Sequence, residues 1–386
     1  MQRVYIDNAA TTPVYQQVAE LMKDYMINCS GNPSSLHEFG REAKTYLEKA
    51  RRQVAHTFDA DAEEVFFTSG GTEANNMAII GAAMARGKGS HIITSQVEHP
   101  SVLSVCKFLA QNGFDVTFLP VDGYAMVDPD DLKKALRPDT VLVSIMHANN
   151  EVGTINPIGE LGAICREAGV LFHVDAVQSW CKVPFTVQSL NADLISLSAH
   201  KINGPKGVGA LYKRKTACLA RFIHGGGQEK KVRSGTENMP GIVGMGLAAE
   251  MNFIGLEQNV DRWKKLRDSL VGQVLDTIEY SQLNGHPVQR LPHNANLSFD
   301  YIEGEALLLH LDINGIACST GSACASNSDG ASHVLQAMKV AEGMLNSALR
   351  LTIGYGNTQQ DIDYTAKILR EKVDHLRSFS PHFHGK

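Results

Sequence analysis

The sequence predicts an α/β protein, with a large lobe on a mainly parallel, seven-stranded sheet flanked by helices and a smaller α+β lobe towards the C-terminal end. Three observations point there. Between Glu64 and Tyr212, short apolar runs alternate with longer stretches of helical periodicity. Such strand–helix–strand repeats build parallel sheets covered on both faces, with function at the carboxyl ends of the strands. The chain of 386 residues also exceeds one typical domain, so two lobes sharing a crevice are expected. Their predicted limits are 15–257 for the large lobe, and 1–14 together with 258–386 for the small one.

Taken in order, Val4–Pro13 reads as a short strand running into a polar turn, and Gln16–Met26 as a helix. Cys29–His37 is a loop by its Gly, Pro and Ser content, and Arg41–Phe58 has helical apolar spacing. Strands are predicted at Glu64–Thr68, His91–Ser95, Asp115–Val121, Val141–Met146 and Leu171–Asp175. Between and after them come predicted helices at Thr72–Ala85, Ser101–Asn112, from near Pro129, and at Ile158–Ala168. Leu194–Leu197 and Val208–Tyr212 supply two more strands on either side of a Gly/Pro turn. Predicted helices at Ile242–Glu257 and Val260–Tyr280 bridge to the small lobe, where Asn296–Phe299 reads as a strand. The last helix should start at the capping-box-like Thr358-Gln-Gln-Asp361 and bury Ile362, Leu369, Val373 and Leu376.

Composition narrows the function. Charged residues at 20% and apolar ones at 43% are ordinary for a globular protein, and a net charge of −5 gives no reason to expect nucleic acid or an anionic membrane as partner. No apolar run approaches the ~20 residues that span a bilayer. The N-terminus lacks a signal peptide's apolar core, so a cytoplasmic protein is expected. Seven cysteines, scattered without a Cys-x-x-Cys pair or zinc-type spacing, read mostly as small buried filler. Gly81–Lys88 has one residue too many for a Walker loop, and Gly204-Pro-Lys-Gly-Val-Gly209 has the wrong spacing for a dinucleotide fingerprint.

Four features fall at predicted strand ends. Lys201 follows the apolar run Leu194–Leu197, where partial desolvation would make its amine usable as a Schiff-base former; taken alone it reads sooner as an ordinary surface lysine before a turn. Thr68-Ser-Gly-Gly-Thr-Glu-Ala-Asn-Asn76 is a glycine-rich turn opening a helix, whose N–H groups and Thr72 hydroxyl would hold a phosphate, or serve only as a cap. His99 lies just beyond a strand and is either structural or a ring that stacks on an aromatic cofactor. Asp175 ends an apolar strand, where its carboxylate needs a cationic ring nitrogen or an arginine. Asn149-Asn-Glu151 offers amides in a similar position. Occurring together on successive strands, these describe a pocket for pyridoxal 5′-phosphate.

Nearly the whole chain resembles the cysteine desulfurases of iron–sulfur-cluster assembly, within the class-V, fold-type I (aminotransferase-like) pyridoxal-phosphate enzymes. The resemblance rests on Tyr5-Ile-Asp-Asn-Ala-Ala-Thr-Thr-Pro13, Gly31-Asn-Pro-Ser-Ser35, Val97-Glu-His99, His173-Val-Asp175, Ser198-Ala-His-Lys201, Arg233-Ser-Gly-Thr236 and Ser319-Thr-Gly-Ser-Ala-Cys-Ala-Ser326. It implies that Lys201 carries the cofactor, Asp175 pairs with the pyridine nitrogen, His99 stacks on the ring and Gln178 bonds the phenolic oxygen. Gly71, Thr72, Ser198 and His200 would bind phosphate, joined by Thr236 from the other subunit of a homodimer. Asn150 and Arg350 would hold the substrate carboxylate.

Cys324 lies in a Gly/Ser/Ala loop that suits a mobile nucleophile, and the resemblance selects it as the persulfide position; Cys318, at the end of an apolar stretch, reads as filler. The implied reaction takes sulfur from L-cysteine onto Cys324, leaves L-alanine, and passes the sulfur to an iron–sulfur scaffold or another acceptor. Cys324 would then be a transient ligand of the nascent cluster. Two departures stand out: Asn327-Ser-Asp-Gly-Ala-Ser-His333 follows the cysteine, and Tyr355 stands where many relatives have arginine. The competing expectations are another pyridoxal-phosphate reaction with Cys324 incidental, and a non-catalytic scaffold.

Overall fold

The computed structural model describes residues 2–320, 331–381 and 383. Thirteen strands follow in chain order among them: β1 (Val4–Tyr5), β2 (Val65–Thr68), β3 (His91–Ser95), β4 (Asp115–Leu119), β5 (Thr140–Met146), β6 (Leu171–Asp175), β7 (Leu194–Ser198), β8 (Gly209–Lys213), β9 (Ser281–Asn284), β10 (Asn294–Phe299), β11 (Ile316–Ala317), β12 (Ser319–Thr320) and β13 (Leu349–Thr352). Seven of them form one sheet in the order β2-β8-β7-β6-β5-β3-β4. The neighbours from β7 through to β4 pair parallel, whereas β8 runs antiparallel to both β7 and β2. The reason is local. The strand–helix units leave enough chain to cross over the sheet, but the tight turn between β7 and β8 can only reverse it.

Neighbouring residues along these strands face opposite layers, as the pleat demands. Ile92, Leu142 and Leu194 pack with Ala78, Met77 and Leu109 in one core, while Ile93, Val143 and Ile195 pack with Val54, Ile158 and Met245 in another. Both faces are therefore covered, which explains why β7 reads as an unbroken apolar run rather than as alternation.

The C-terminal part builds a separate antiparallel sheet, β12-β13-β10-β9, and β11 pairs with β1. Its core holds Trp263, Leu270, Phe299, Leu351, Ile362 and Leu369, together with Val4 and Ile6 from the N-terminal segment. The last helix, Gln359–Arg377, has the expected capping box at Thr358 and Asp361, and it buries Ile362, Leu369 and Val373; Leu376 is half-buried. Three helices start three or four residues earlier than predicted, the first of them at Glu38, where His37 Nδ1 accepts the Gly40 N–H. Met239–Ile254 begins where Asn238 accepts the Gly241 N–H and Pro240 sets the first turn, and Leu256–Thr277 follows directly on Gly255 with a 73° bend. Among the described residues no single helix is long and apolar enough to cross a membrane.

Candidate active site

Strands β2, β3, β5, β6 and β7 send their carboxyl ends to one cavity of about 240 Å³, room for a small-molecule ring. Helix Gly71–Arg86 starts there, straight after β2. Its N-cap, Gly70, sits at φ 156° and has no side chain with which to cap the helix. Gly71 and Thr72 line the cavity, with Ser198 and His200 from the end of β7 beside them. The positive end of a 16-residue helix among such donors is an anion site. β8 approaches this turn so closely that a Cβ on Gly209 would lie 2.5 Å from the Leu197 carbonyl oxygen and 2.7 Å from the Gly70 backbone. Burial, then the charges of Lys201 and Lys182, push His200 down to about 3, so its ring is neutral beside the anion site.

Asp175 ends β6 and is buried. The Val177 N–H donates to its Oδ1 at 3.0 Å and Asn75 Nδ2 donates to its Oδ2 at 2.8 Å. The same Asn75 amide reaches Ser101 Oγ at 2.9 Å, and Ser101 holds His99: its N–H donates to His99 Nδ1 at 3.2 Å and its hydroxyl lies 2.8 Å from the same nitrogen. Nδ1 is therefore an acceptor, and the neutral ring carries its hydrogen on Nε2. Burial lowers the proton affinity of His99, with Asp175 opposing and Lys201 and His333 adding to the effect. Asn75 and Ser101 were not among the predicted site residues. Their signal was in the sequence, since each lies within a few positions of a predicted one.

Lys201 Nζ donates to the carbonyls of Ala9 and Ala10 at 2.6 and 2.8 Å. Gln178 Nε2 donates to the same Ala9 oxygen at 3.0 Å, while its Oε1 is buried with no hydrogen-bond partner among the described residues. The N-terminal arm thus closes one side of the site, a contact that no periodicity could reveal. Asn150 lines the cavity. Arg350 does not: it is buried behind, donating to Asp7 Oδ1 at 2.9 Å and to the Asn150 carbonyl at 3.1 Å. Thr236 is exposed and also lies outside the lining of its own chain's cavity. Cys324 lies outside the described residues. Burial pushes the Cys318 thiol up to about 12, as suits a packing residue. Of the described cysteines, Cys106, Cys165 and Cys181 are buried, Cys29 and Cys318 are partly so, and Cys218 is exposed. Among the described residues no group of His, Cys, Asp and Glu could hold a metal ion.

What this edge of the sheet accommodates is a ligand with a phosphate, a basic ring nitrogen and a carbonyl: the helix end, an oriented carboxylate and a primary amine meet in one cavity. Pyridoxal 5′-phosphate has all three groups, and the residues present fit it. An open α/β sheet with this edge is the architecture of fold-type I pyridoxal-phosphate enzymes.

Comparison with known proteins agrees. The aminotransferase class-V family matches residues 4–365. A cysteine desulfurase IscS of Dictyoglomus turgidum is 51% identical over 382 residues, covering 99% of this chain and 97% of the relative. One of Methanosarcina thermophila is 51% identical over 379 residues, covering 98% and 94%. Among solved structures, a NifS-like protein superposes with a TM-score of 0.91 at 39% identity, covering 97% of this chain and 100% of that one. SspA in complex with cysteine superposes with a TM-score of 0.82 at 35% identity, covering 91% and 98%. The chain belongs to the class-V aminotransferase family and, within it, to the cysteine desulfurases.

Proposed function

We infer that this chain is a pyridoxal-phosphate-dependent cysteine desulfurase that converts L-cysteine to L-alanine and takes the sulfur onto Cys324 as a persulfide. The observation that carries the reading is the meeting of Lys201 and Asp175 in one cavity, at the ends of adjacent strands. When bound, the cofactor supplies an electron sink that weakens the bonds at Cα and the Cβ–S bond of the amino acid. Every other task falls to the chain. Gly71, Thr72, Ser198 and His200 hold the phosphate, with Thr236 reaching the site from the other subunit of a homodimer; its exposure outside its own cavity supports that reading.

Asp175, held by Asn75 and the Val177 N–H, keeps a proton on the ring nitrogen. Lys201 Nζ tethers the cofactor and then moves the Cα proton. His99, fixed at Nδ1, stacks on the ring and holds or gives a proton at Nε2. Gln178 bonds the phenolic oxygen, and Asn150 takes the substrate carboxylate, joined by Arg350 as it turns from Asp7 towards the cavity. The Cys324 thiolate attacks the substrate sulfur. An S–S bond forms as the Cβ–S bond breaks, and the electron pair left behind is taken up by a proton to give alanine. Residues 15–257 serve as the cofactor lobe, and 1–14 with 258–386 as the lobe carrying Cys324. The persulfide passes to an iron–sulfur scaffold or another sulfur acceptor in the cytoplasm, with Cys324 a transient ligand of the cluster cargo.

Cys324→Ser and Lys201→Ala test this together. The serine variant keeps the lysine-linked cofactor absorbance but forms no persulfide and almost no alanine, and the alanine variant lacks the absorbance itself. Unchanged alanine production by Cys324→Ser would overturn the role of Cys324.

A further inference from the structure

Lys201 lines a second, smaller cavity as well, with Lys182, Trp263 and His293. There is room in it for a single water-sized molecule. All three of these partners are buried. Neither ring nitrogen of His293 and not the Trp263 Nε1–H has a hydrogen-bond partner among the described residues. Lys182 Nζ donates to the Gln178 carbonyl at 3.2 Å, which leaves part of its donor capacity for the cavity. Buried polar groups left without a partner are costly, and one bridging water answers several of them at once.

We propose that Lys182 is a positioning residue that acts through Lys201: bridged by one internal water in this cavity, the two amines share a proton, and Lys182 takes it when Lys201 has to work as a free amine. The inference rests on Lys201 being the lysine that carries the cofactor. The step balances without any other reactant, since Lys201–NH₃⁺ and Lys182–NH₂ become Lys201–NH₂ and Lys182–NH₃⁺ across an unchanged water.

The resting position of the proton follows from the contacts. Lys201 has two carbonyls at 2.6 and 2.8 Å, against the longer contact of Lys182. Burial, and then the charge of Lys201, push Lys182 down to about 7, with Cys181 opposing. Around the pair, His200 and His293 are both held neutral, His293 by burial and by the cations Lys182, Arg267, Arg350 and Lys201. On the cofactor side, among the described residues, His99, Asp175 and His200 line the cavity with Lys201, whose charge lowers the proton affinity of His99 while that of Asp175 raises it. Near neutral pH, Lys182 is thus, among the described residues, a titratable neighbour of Lys201 able to accept the proton.

The test is the pH dependence of pyridoxal 5′-phosphate loading onto apoenzyme, followed by growth of the lysine-linked absorbance. Lys182→Met removes the acceptor, so the rising limb of the loading rate should move to higher pH by about one unit. Lys182→Arg puts a permanent cation beside Lys201 and should move the limb to lower pH. A merely structural lysine would leave both limbs in place or shift them together, and either outcome overturns the proposal. If Lys182→Arg cannot fold for want of space, Lys182→Met alone decides: a limb that stays within about 0.3 unit of wild type overturns it. Wild-type enzyme that forms no lysine-linked band would instead refute the role of Lys201, a distinguishable failure.

Discussion

Two buried regions flank the cleft, and they treat their carboxyl groups differently. At the cofactor wall, Asp175 accepts from the Asn75 amide, on the helix Gly71–Arg86, and from the Val177 N–H just beyond β6, one donor to each oxygen. Next to it residues 331–337 dock on the large lobe, with Val334 and Leu335 packed against Val97 and Val152. There the Ser332 hydroxyl donates to Glu151 Oε2, and His333 Nε2 lies 3.1 Å from the Glu98 carbonyl oxygen. Glu98 collects both its donors on Oε1, from Ser95 and Met146, and leaves Oε2 without a partner among the described residues. In this second region burial outweighs the donors: Glu98 is pushed up to about 8 and Glu151 to about 7. The contrast teaches that a buried carboxyl is defined by where its donors fall. One region presents an oriented acceptor to a ligand, and the other keeps protons into the neutral range.

The largest effect should come from the first region. Asp175→Asn keeps the shape but removes the charge, and kcat/KM for cysteine should fall by about 100-fold or more, roughly 3 kcal/mol, with little change in melting temperature. A loss below about threefold would mean that the Asp175 charge is not used.

Glu151→Gln sharpens the other side. The folded-state value of Glu151, about 7, lies above its ordinary 4.5, so the folded protein holds a proton there that the unfolded chain has already released. Stability is therefore lost as pH rises from 4.5 through 7, and the penalty is complete above that. Glutamine still accepts from Ser332 without a charge. The variant should match wild type near pH 4 and exceed it by about 1–3 kcal/mol at pH 8 in denaturant titrations. An unchanged pH slope would sink this account.

The smallest effect is expected from Ser332→Ala. Ser332 also caps the helix His333–Ala337 by accepting the Val334 and Leu335 N–H groups, so its loss should cost about 1 kcal/mol. If the cost vanishes, the docking of this segment does not depend on that cap.

Much of this was legible in the chain before any coordinates. Apolar runs placed the seven strands, because burial on both faces leaves an uninterrupted signature. Lys201, Asp175, His99 and the Thr72 turn were legible for the same reason, since polar residues at the ends of such runs stand out. Helix starts near Met239 and Leu256 were placed late, because capping by Asn238 and a bend at Gly255 leave little mark on periodicity. Lys182 and His293 gave no sign, because each is a lone polar residue whose neighbours come from distant parts of the chain.

The sequence by itself determined the α/β class, the strand-end residues and, through its motifs, the desulfurase family. These are local properties: a strand's pattern and the residue at its end travel together. Only the tertiary structure decided that the carbonyls of Ala9 and Ala10 meet Lys201, that Arg350 sits behind the cavity against Asp7, and that two lysines line one small cavity. Those facts depend on desolvation and on contacts between residues far apart in the chain, and so exist only once the chain is folded.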